Sequence, residues 1–441
     1  MSAPSLACAD WQSATDAERA RLLARPRSGN LQAFHDAVRA IAEQVRTQGD
    51  AALVELARRH TGAALDSVTV GDAEFDAAAA QLADADRAAL DTAIANVGRF
   101  HAAQLRPPLA VETADGVACE RVQRPLDSVG LYVPGGTAPL PSTAIMLAVP
   151  SRIAGCRLRV LCTPPRADGS CEPAVLYVAR ACGIDRVFKA GGAQAIAAMA
   201  YGTASVPRVD KICGPGNAWV MAAKQLLCGG PGAPAADLPA GPSEVMVVAD
   251  DSARADFVAL DLLAQAEHGP DSQAMLVTTS RELVRAVEAA IARTLPRLAR
   301  SAALQASLRN SRAIVVTDLG TAAEVANAYA PEHLILAIGN PRGLLPAIRS
   351  AGSVFLGHWT PEALGDYCSG TNHVLPTHGY ARTASGLSVD DFMRQMTVQE
   401  ASRAGLEGLG PVAVRLARLE GLDAHAASVA VRLEDARAAV A

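Results

Sequence analysis

The stretch LLAQAEHGPDSQ places Gln265 and His268 three residues apart at the end of an apolar helical run. That spacing puts both side chains on one helix face, and Gly269-Pro270 ends the helix just beyond them. An amide oxygen and an imidazole nitrogen so placed can share zinc or a similar divalent ion. The competing reading is a helix end hydrogen-bonded to a neighbour. In YAPEHLIL, Glu332 and His333 stand at the entrance of an apolar strand, after a proline that ends the preceding helix. A carboxylate and an imidazole there form an acid–base set. Adjacent residues of a regular strand face opposite sides, so one substrate meets both only where the backbone is irregular.

The stretch GDYCSGTNHVLPTHG, residues 365–379, gathers Asp366, Cys368, Asn372, His373 and His378 among small residues, in a chain with nine histidines. No helical or strand period runs through it. It reads as a loop, either a solvated surface segment or one that carries ligands to a site. Near the C-terminus, His425 lies in the first turn of a helix begun by Asp423, with Glu420 across the turn. The positive helix end favours the neutral, metal-binding ring; a surface histidine beside a cap is the alternative.

Three glycine-rich turns, VPGGTAPLPS, AGGAQAIAA and CGPGNAWV, each follow a strand-like run and open a helical one. Backbone N–H groups at such helix starts can meet a phosphate. None is G-x-G-x-x-G, so the standard dinucleotide fingerprint is absent. The nine cysteines are scattered, odd in number and without a C-x-x-C pair. They fit reduced thiols and argue against a thiolate zinc site. Only Cys156 and Cys368 merit a nucleophile hypothesis, against burial as small apolar groups.

These residues need elements to position them. Residues 17–110 carry a largely helical pattern, stopped by RPP. From about 128 short β-rich runs alternate with helices: VGLYVP, RLRVLCT, RVFKA and VDKIC, each followed by a helical run. In the first of these, STAIMLAVPSRIA, Pro150 is expected to kink or end the helix. The Gly/Pro-rich CGGPGAPAADLPAGPSE forms a linker or long loop, after which VMVVA, AMLVTT, AIVVTD, HLILAI and SVFLG repeat the alternation. Two successive parallel, doubly wound α/β units follow from this pattern, with ligands expected in the cleft between them and at the carboxyl ends of strands. Past 385 the chain reads as helical, with two helices around Gly421.

The 441 residues can bury a large core. A net charge of −5 argues against nucleic-acid or anionic-membrane binding. No run of eighteen apolar residues appears, and the N-terminus lacks a charged-then-apolar signal pattern. A cytoplasmic protein is expected.

GLYVPGG, KAGGAQAIAA, DKICGPGN, AGPSE, QAEHGPDSQ, APEHL, GDYCSGTNHVLPT and EGLDAH occur together in this order. With these eight motifs the chain resembles the histidinol dehydrogenase family over residues 20–435. The resemblance implies two incomplete Rossmann-like units of the aldehyde dehydrogenase-like kind, with a helical N-terminal segment and a helical C-terminal tail. The implied division is a mainly helical segment over 1–125, an NAD-binding unit over 126–240, a zinc- and substrate-binding unit over 241–384, and a tail over 385–441 exchanged in a homodimer. One Zn2+ per subunit is then held by Gln265, His268, Asp366 and His425, and NAD+ is contacted at Tyr132, Gln194 and Asn217. Ser243, His373 and Glu420 hold the substrate's polar atoms, together with His333 and the metal-binding set. The implied reaction is the four-electron oxidation of L-histidinol to L-histidine through a bound aldehyde and its hydrate, the last steps of histidine biosynthesis. His333 acts as general acid–base and Glu332 activates water. His378 and Cys368 match none of the family's functional positions.

Other classes remain in view on sequence alone. An aldehyde dehydrogenase-like enzyme would use a thioester on Cys156 or Cys119. A zinc hydrolase would use Glu332 on water without nicotinamide, and a non-catalytic metal or nucleotide binder would do neither. A paralogue would oxidise a related amino alcohol.

Overall fold

The computed structural model describes residues 6–26, 31–135, 139–184, 186–238 and 241–438. Apolar runs of four to six residues between helices become parallel strands that are buried on both faces. Two sheets result. The five-stranded sheet runs Arg186–Lys189, Leu158–Thr163, Ser128–Tyr132, Lys211–Cys213, Ala235–Ala236, all parallel. The six-stranded sheet runs Ala7–Asp10, Arg312–Val315, Gln273–Thr278, Glu244–Ala249, His333–Ala337, Ser353–Leu356, again all parallel. Leaving aside the N-terminal edge strand, each sheet has the order third, second, first, fourth, fifth along its part of the chain. Both are therefore doubly wound about their first strand, as the alternation predicts.

Helices cover these sheets. Gly192–Tyr201 is apolar nearly all round and buries Ala193 through Ala200, as a helix enclosed by sheet and other helices must. The N-terminal helices Leu31–Gln48, Asp50–Thr61, Asp72–Gln81 and Asp84–Ala102 complete this layer. Three features depart from the sequence pattern. Pro150 does not end its helix, which spans Pro141–Ala154. The helix that the alternation places between HLILAI and SVFLG shrinks to Pro341–Leu344 and a 3-10 turn at Leu345–Ala347, where Pro346 withholds a backbone donor. Residues Ser301–Asn310 form a further helix.

The chain forms two compact units, one from Met1–Gln104 and Asp127–Phe392, the other from Leu105–Leu126 and Met393–Ala441. In the second, Leu109–Ala114 and Met393–Ala401 pair antiparallel with Val117–Pro125. The helical tail begins only after that last strand, at Arg403. Met393–Ala401 is almost wholly exposed, so no alternation of buried and open positions marks it as a strand. Helices Arg403–Leu419 and Asp423–Ala438 pack on each other around Gly421 at φ 72°. Among the described residues, no helix is long and apolar enough to cross a membrane.

Candidate active site

Helix Leu319–Tyr329 is capped by Asp318, whose carboxylate accepts the Thr321 N–H at 2.8 Å. It ends at Ala330 in a left-handed conformation, φ 53°, which costs a residue with a Cβ about 1–2 kcal/mol. Pro331 follows, and Glu332 enters the sheet one residue before the strand His333–Ala337. This irregular entry resolves the strand-facing problem. The Glu332 Oε2 lies 3.6 Å from His333 Nδ1, and both side chains are buried.

The neighbouring strand supplies their partners. The Glu244 N–H donates to Glu332 Oε2 at 2.8 Å, and the Glu244 carbonyl lies 3.2 Å from His333 Nδ1. A carbonyl only accepts, so the network assigns the proton to Nδ1. Among the described residues His333 Nε2 is buried with no hydrogen-bond partner; Asp366 Oδ1 stands 3.4 Å away. Glu362 Oε1 lies 3.6 Å from Nδ1. Burial pushes Glu332 up to about 8, against the opposing pull of His333 and the Glu244 N–H. Burial likewise raises Glu362 well above the usual carboxylate range. Burial works to lower His333, but Glu362, Glu332 and Asp366 outweigh it and raise the imidazole well above its ordinary value. Asp366 is held low although burial acts to raise it, because His333, His373 and His268 surround it.

Gln265 is fully buried in the last turn of helix Ala255–Ala266, and His268 follows just past its end. Glu362 and Asp366 are four apart on the short helix Glu362–Tyr367, so they share a face. The first residues of the stretch read as a loop are thus helical. Ligand atoms of His268, Glu362 and Asp366 lie within 4.8 Å of one another. With its nitrogen facing Glu362, the Gln265 amide donates to Oε1 at 2.5 Å and Oε2 at 3.1 Å, which turns its oxygen away from that carboxylate. His268 is exposed, yet the protein packed around it lowers its pKa, favouring the neutral ring. Nitrogen and oxygen donors at this separation, next to an orphaned imidazole nitrogen, fit a zinc ion. Glu362 escaped the sequence reading; its i, i+4 spacing to Asp366 was the available signal.

His373 Nδ1 lies 2.7 Å from the Asp366 carbonyl and Nε2 lies 3.2 Å from Thr143 Oγ1, on helix Pro141–Ala154. Asn372 donates to the Met146 carbonyl of the same helix at 2.7 Å. His378, at φ 53°, donates its N–H to Glu244 Oε1 at 2.9 Å. Ser243 is half-buried beside Glu244. The group therefore collects at the amino ends of strands Glu244–Ala249 and His333–Ala337, not at their carboxyl ends. The physical reason is that Ala255–Ala266 returns antiparallel to its strand and delivers Gln265 and His268 to that edge.

The five-stranded sheet does use its carboxyl ends. Tyr132, buried at the end of its strand, accepts the Gly192 N–H on its hydroxyl at 2.9 Å, and burial pushes its pKa up to about 12. Gly214, at φ 131°, passes so near that a Cβ there would meet the Tyr132 carbonyl oxygen at 2.2 Å. Gln194 is buried one turn into Gly192–Tyr201, and the exposed Asn217 caps Ala218–Leu227 by accepting the Trp219 and Val220 N–H groups. The second and third glycine-rich turns thus meet the end of the Tyr132 strand at one edge, with two helix starts beside them; residues 136–138 of the first turn lie outside the described residues. This suits the phosphates of a dinucleotide.

Glu420 and His425 belong to the second compact unit, where both are exposed on either side of the Gly421 turn. Cys156 is buried with its Sγ donating to the Phe392 carbonyl, and Cys119 and Cys368 are half-buried. Burial raises the Cys171 thiol to about 12 and Cys182 to about 11, so these are inert apolar groups.

Residues 24–433 match the family model described as histidinol dehydrogenase. The histidinol dehydrogenase of Xanthomonas axonopodis pv. citri (strain 306) is 55% identical over 424 residues, covering 96% of this chain and 98% of its own. That of Vibrio parahaemolyticus serotype O3:K6 is 50% identical, covering 96% and 97%. The crystal structure of histidinol dehydrogenase from Elizabethkingia anophelis matches with a TM-score of 0.92 at 41% identity, over 98% of both chains.

Proposed function

The chain belongs to the histidinol dehydrogenase family of NAD-dependent oxidoreductases, and from that premise we propose that it oxidises L-histidinol to L-histidine in two successive steps at Glu332 and His333. The observation that carries this reading is the buried His333 Nε2, free of any hydrogen-bond partner, beside the His268–Glu362–Asp366 cluster. Zinc, when bound, would orient and polarise the substrate, and NAD+ would accept an electron pair in each step.

Gln265, His268 and Asp366 would hold the zinc, with His425 supplied by the exchanged tail of a second copy. A zinc charge beside His333 would oppose the rise in its pKa, and the neutral ring, its Nδ1–H fixed on the Glu244 carbonyl, takes the substrate hydroxyl proton on Nε2 as the alcohol becomes a bound aldehyde. Ionised Glu332 takes a proton from the water that adds to this aldehyde while His333 returns its proton from Nε2 to the former carbonyl oxygen, and the product is the hydrate. Neutral again, His333 then takes a proton from a hydrate hydroxyl as the carboxylic acid forms, and the acid loses its own proton to give the carboxylate. Each positioned acid–base group contributes about 10²–10⁴-fold. Ser243, His373 and Glu420 hold the amino and imidazole nitrogens of the substrate. Tyr132, Gln194 and Asn217 contact NAD+ at these turns. The enzyme works in the cytoplasm as a homodimer.

The test is the NADH yield from limiting L-histidinol on zinc-reconstituted protein. Two NADH per histidinol are expected. Glu332→Gln should retain the alcohol step and lose about 10²–10⁴-fold on the aldehyde step. A yield of one NADH per histidinol with the parent protein would sink the two-step reading.

A further inference from the structure

The Glu244 side chain has no role in the reaction above, yet both groups of the dyad rest on the backbone of this residue. Its N–H donates to Glu332 Oε2 at 2.8 Å and its carbonyl accepts from His333 Nδ1 at 3.2 Å. Its side chain is buried and held on two sides. The His378 N–H donates to Oε1 at 2.9 Å. Arg25, from the N-terminal segment, forks onto both oxygens, Nε to Oε1 at 2.5 Å and Nη2 to Oε2 at 2.8 Å. The same Nη2 reaches the Tyr329 carbonyl at 2.8 Å and the Ala330 carbonyl at 3.4 Å, and the guanidinium stacks 4.0 Å above the Tyr329 ring. One guanidinium thus ties together the two segments that carry the dyad and its support: the start of strand Glu244–Ala249 and the left-handed turn before Glu332.

A buried ion pair is a poor way to gain stability, because the desolvation of both charges offsets their attraction and an apolar pair serves as well. What a bidentate Arg–carboxylate pair does supply is fixed geometry. We propose that Arg25 and Glu244 are a positioning pair that aligns Glu332 and His333 for proton transfer, with the Glu244 carbonyl holding His333 in the tautomer that leaves Nε2 free. The proposal rests on Glu332 and His333 being the acid–base groups.

Arg25→Ala, Arg25→Lys and Glu244→Gln in the zinc-loaded dimer test it. Misplacement of about 1 Å costs about 10²-fold, so Arg25→Ala and Glu244→Gln should each lower kcat by that order while the KM for NAD+ and the zinc content stay at parental values. Arg25→Lys keeps the charge and loses the fork, and its kcat should stay close to that of Arg25→Ala. Added guanidinium should restore part of the kcat of Arg25→Ala. A purely structural role predicts a lower melting temperature, parental kcat per folded site and no guanidinium rescue, and that result overturns the proposal. Should Arg25→Ala fail to fold, Glu244→Gln decides by the same readout. Absence of turnover in the parent protein would instead reject the assigned reaction. In that case, 15N-histidine spectra still judge the pair: an unchanged His333 Nδ1–H resonance in Glu244→Gln or Arg25→Lys rejects it, and a lost or shifted one upholds it.

Discussion

The Gln265 amide has two ends, and only its oxygen can face a cation. Glu362 decides which end points where, because its two oxygens accept from the Gln265 nitrogen at 2.5 and 3.1 Å. Partners that orient a metal ligand in this way are typically worth about 10–100-fold in metal affinity. Glu362→Ala should therefore weaken zinc binding by about 10–100-fold in chelator competition, with no turnover required. Glu362→Gln separates orientation from charge: its carbonyl still accepts from Gln265, so most of the affinity should remain. Parental zinc affinity in Glu362→Ala would show that the amide needs no such partner. Spacing alone left this carboxylate out, since its importance comes from burial against Gln265 and His333, and neither contact is visible in a linear pattern.

Pro150 illustrates the same limit for an element. A proline inside a helix removes the donor that would meet the carbonyl four residues earlier, here that of Met146. The helix nevertheless runs to Ala154, and the freed carbonyl accepts Asn372 Nδ2 at 2.7 Å. The interruption becomes a docking point for the segment that bears His373, which reaches Thr143 on the same helix. Asn372→Ala leaves a buried carbonyl short of a donor and should cost about 1–3 kcal/mol in urea unfolding. In a Pro150→Ala background the restored N–H supplies that carbonyl, so the same substitution should cost less. Equal costs in the two backgrounds would mean that Asn372 does not stand in for the missing donor.

For the whole molecule, the proposed exchange of tails gives a sharp expectation. Mixed subunits of Glu332→Gln and His425→Ala, neither of which carries the aldehyde on to histidine alone, should regain histidine formation after unfolding and refolding together. Random pairing makes half the dimers mixed, with one intact site in each, or roughly a quarter of parental activity. No recovery would place His425 in the same subunit's site or outside the site altogether.

The sequence by itself determined the repeated α/β alternation, because strands buried on both faces read as unbroken apolar runs and their helices as distinct periods. It also determined the family, since the motifs are local strings whose order survives in the linear chain. Tertiary structure alone decided which polar groups share one buried space. Arg25 and Glu244 are 219 residues apart, and Asn372 and Met146 are 226 apart. It alone decided that Glu332 and His333 sit at the amino ends of their sheet and approach one another across an irregular strand entry. The physical reason is common to all of these. The weight of a polar contact depends on its distance and on the water excluded around it, and both are set only when distant segments pack.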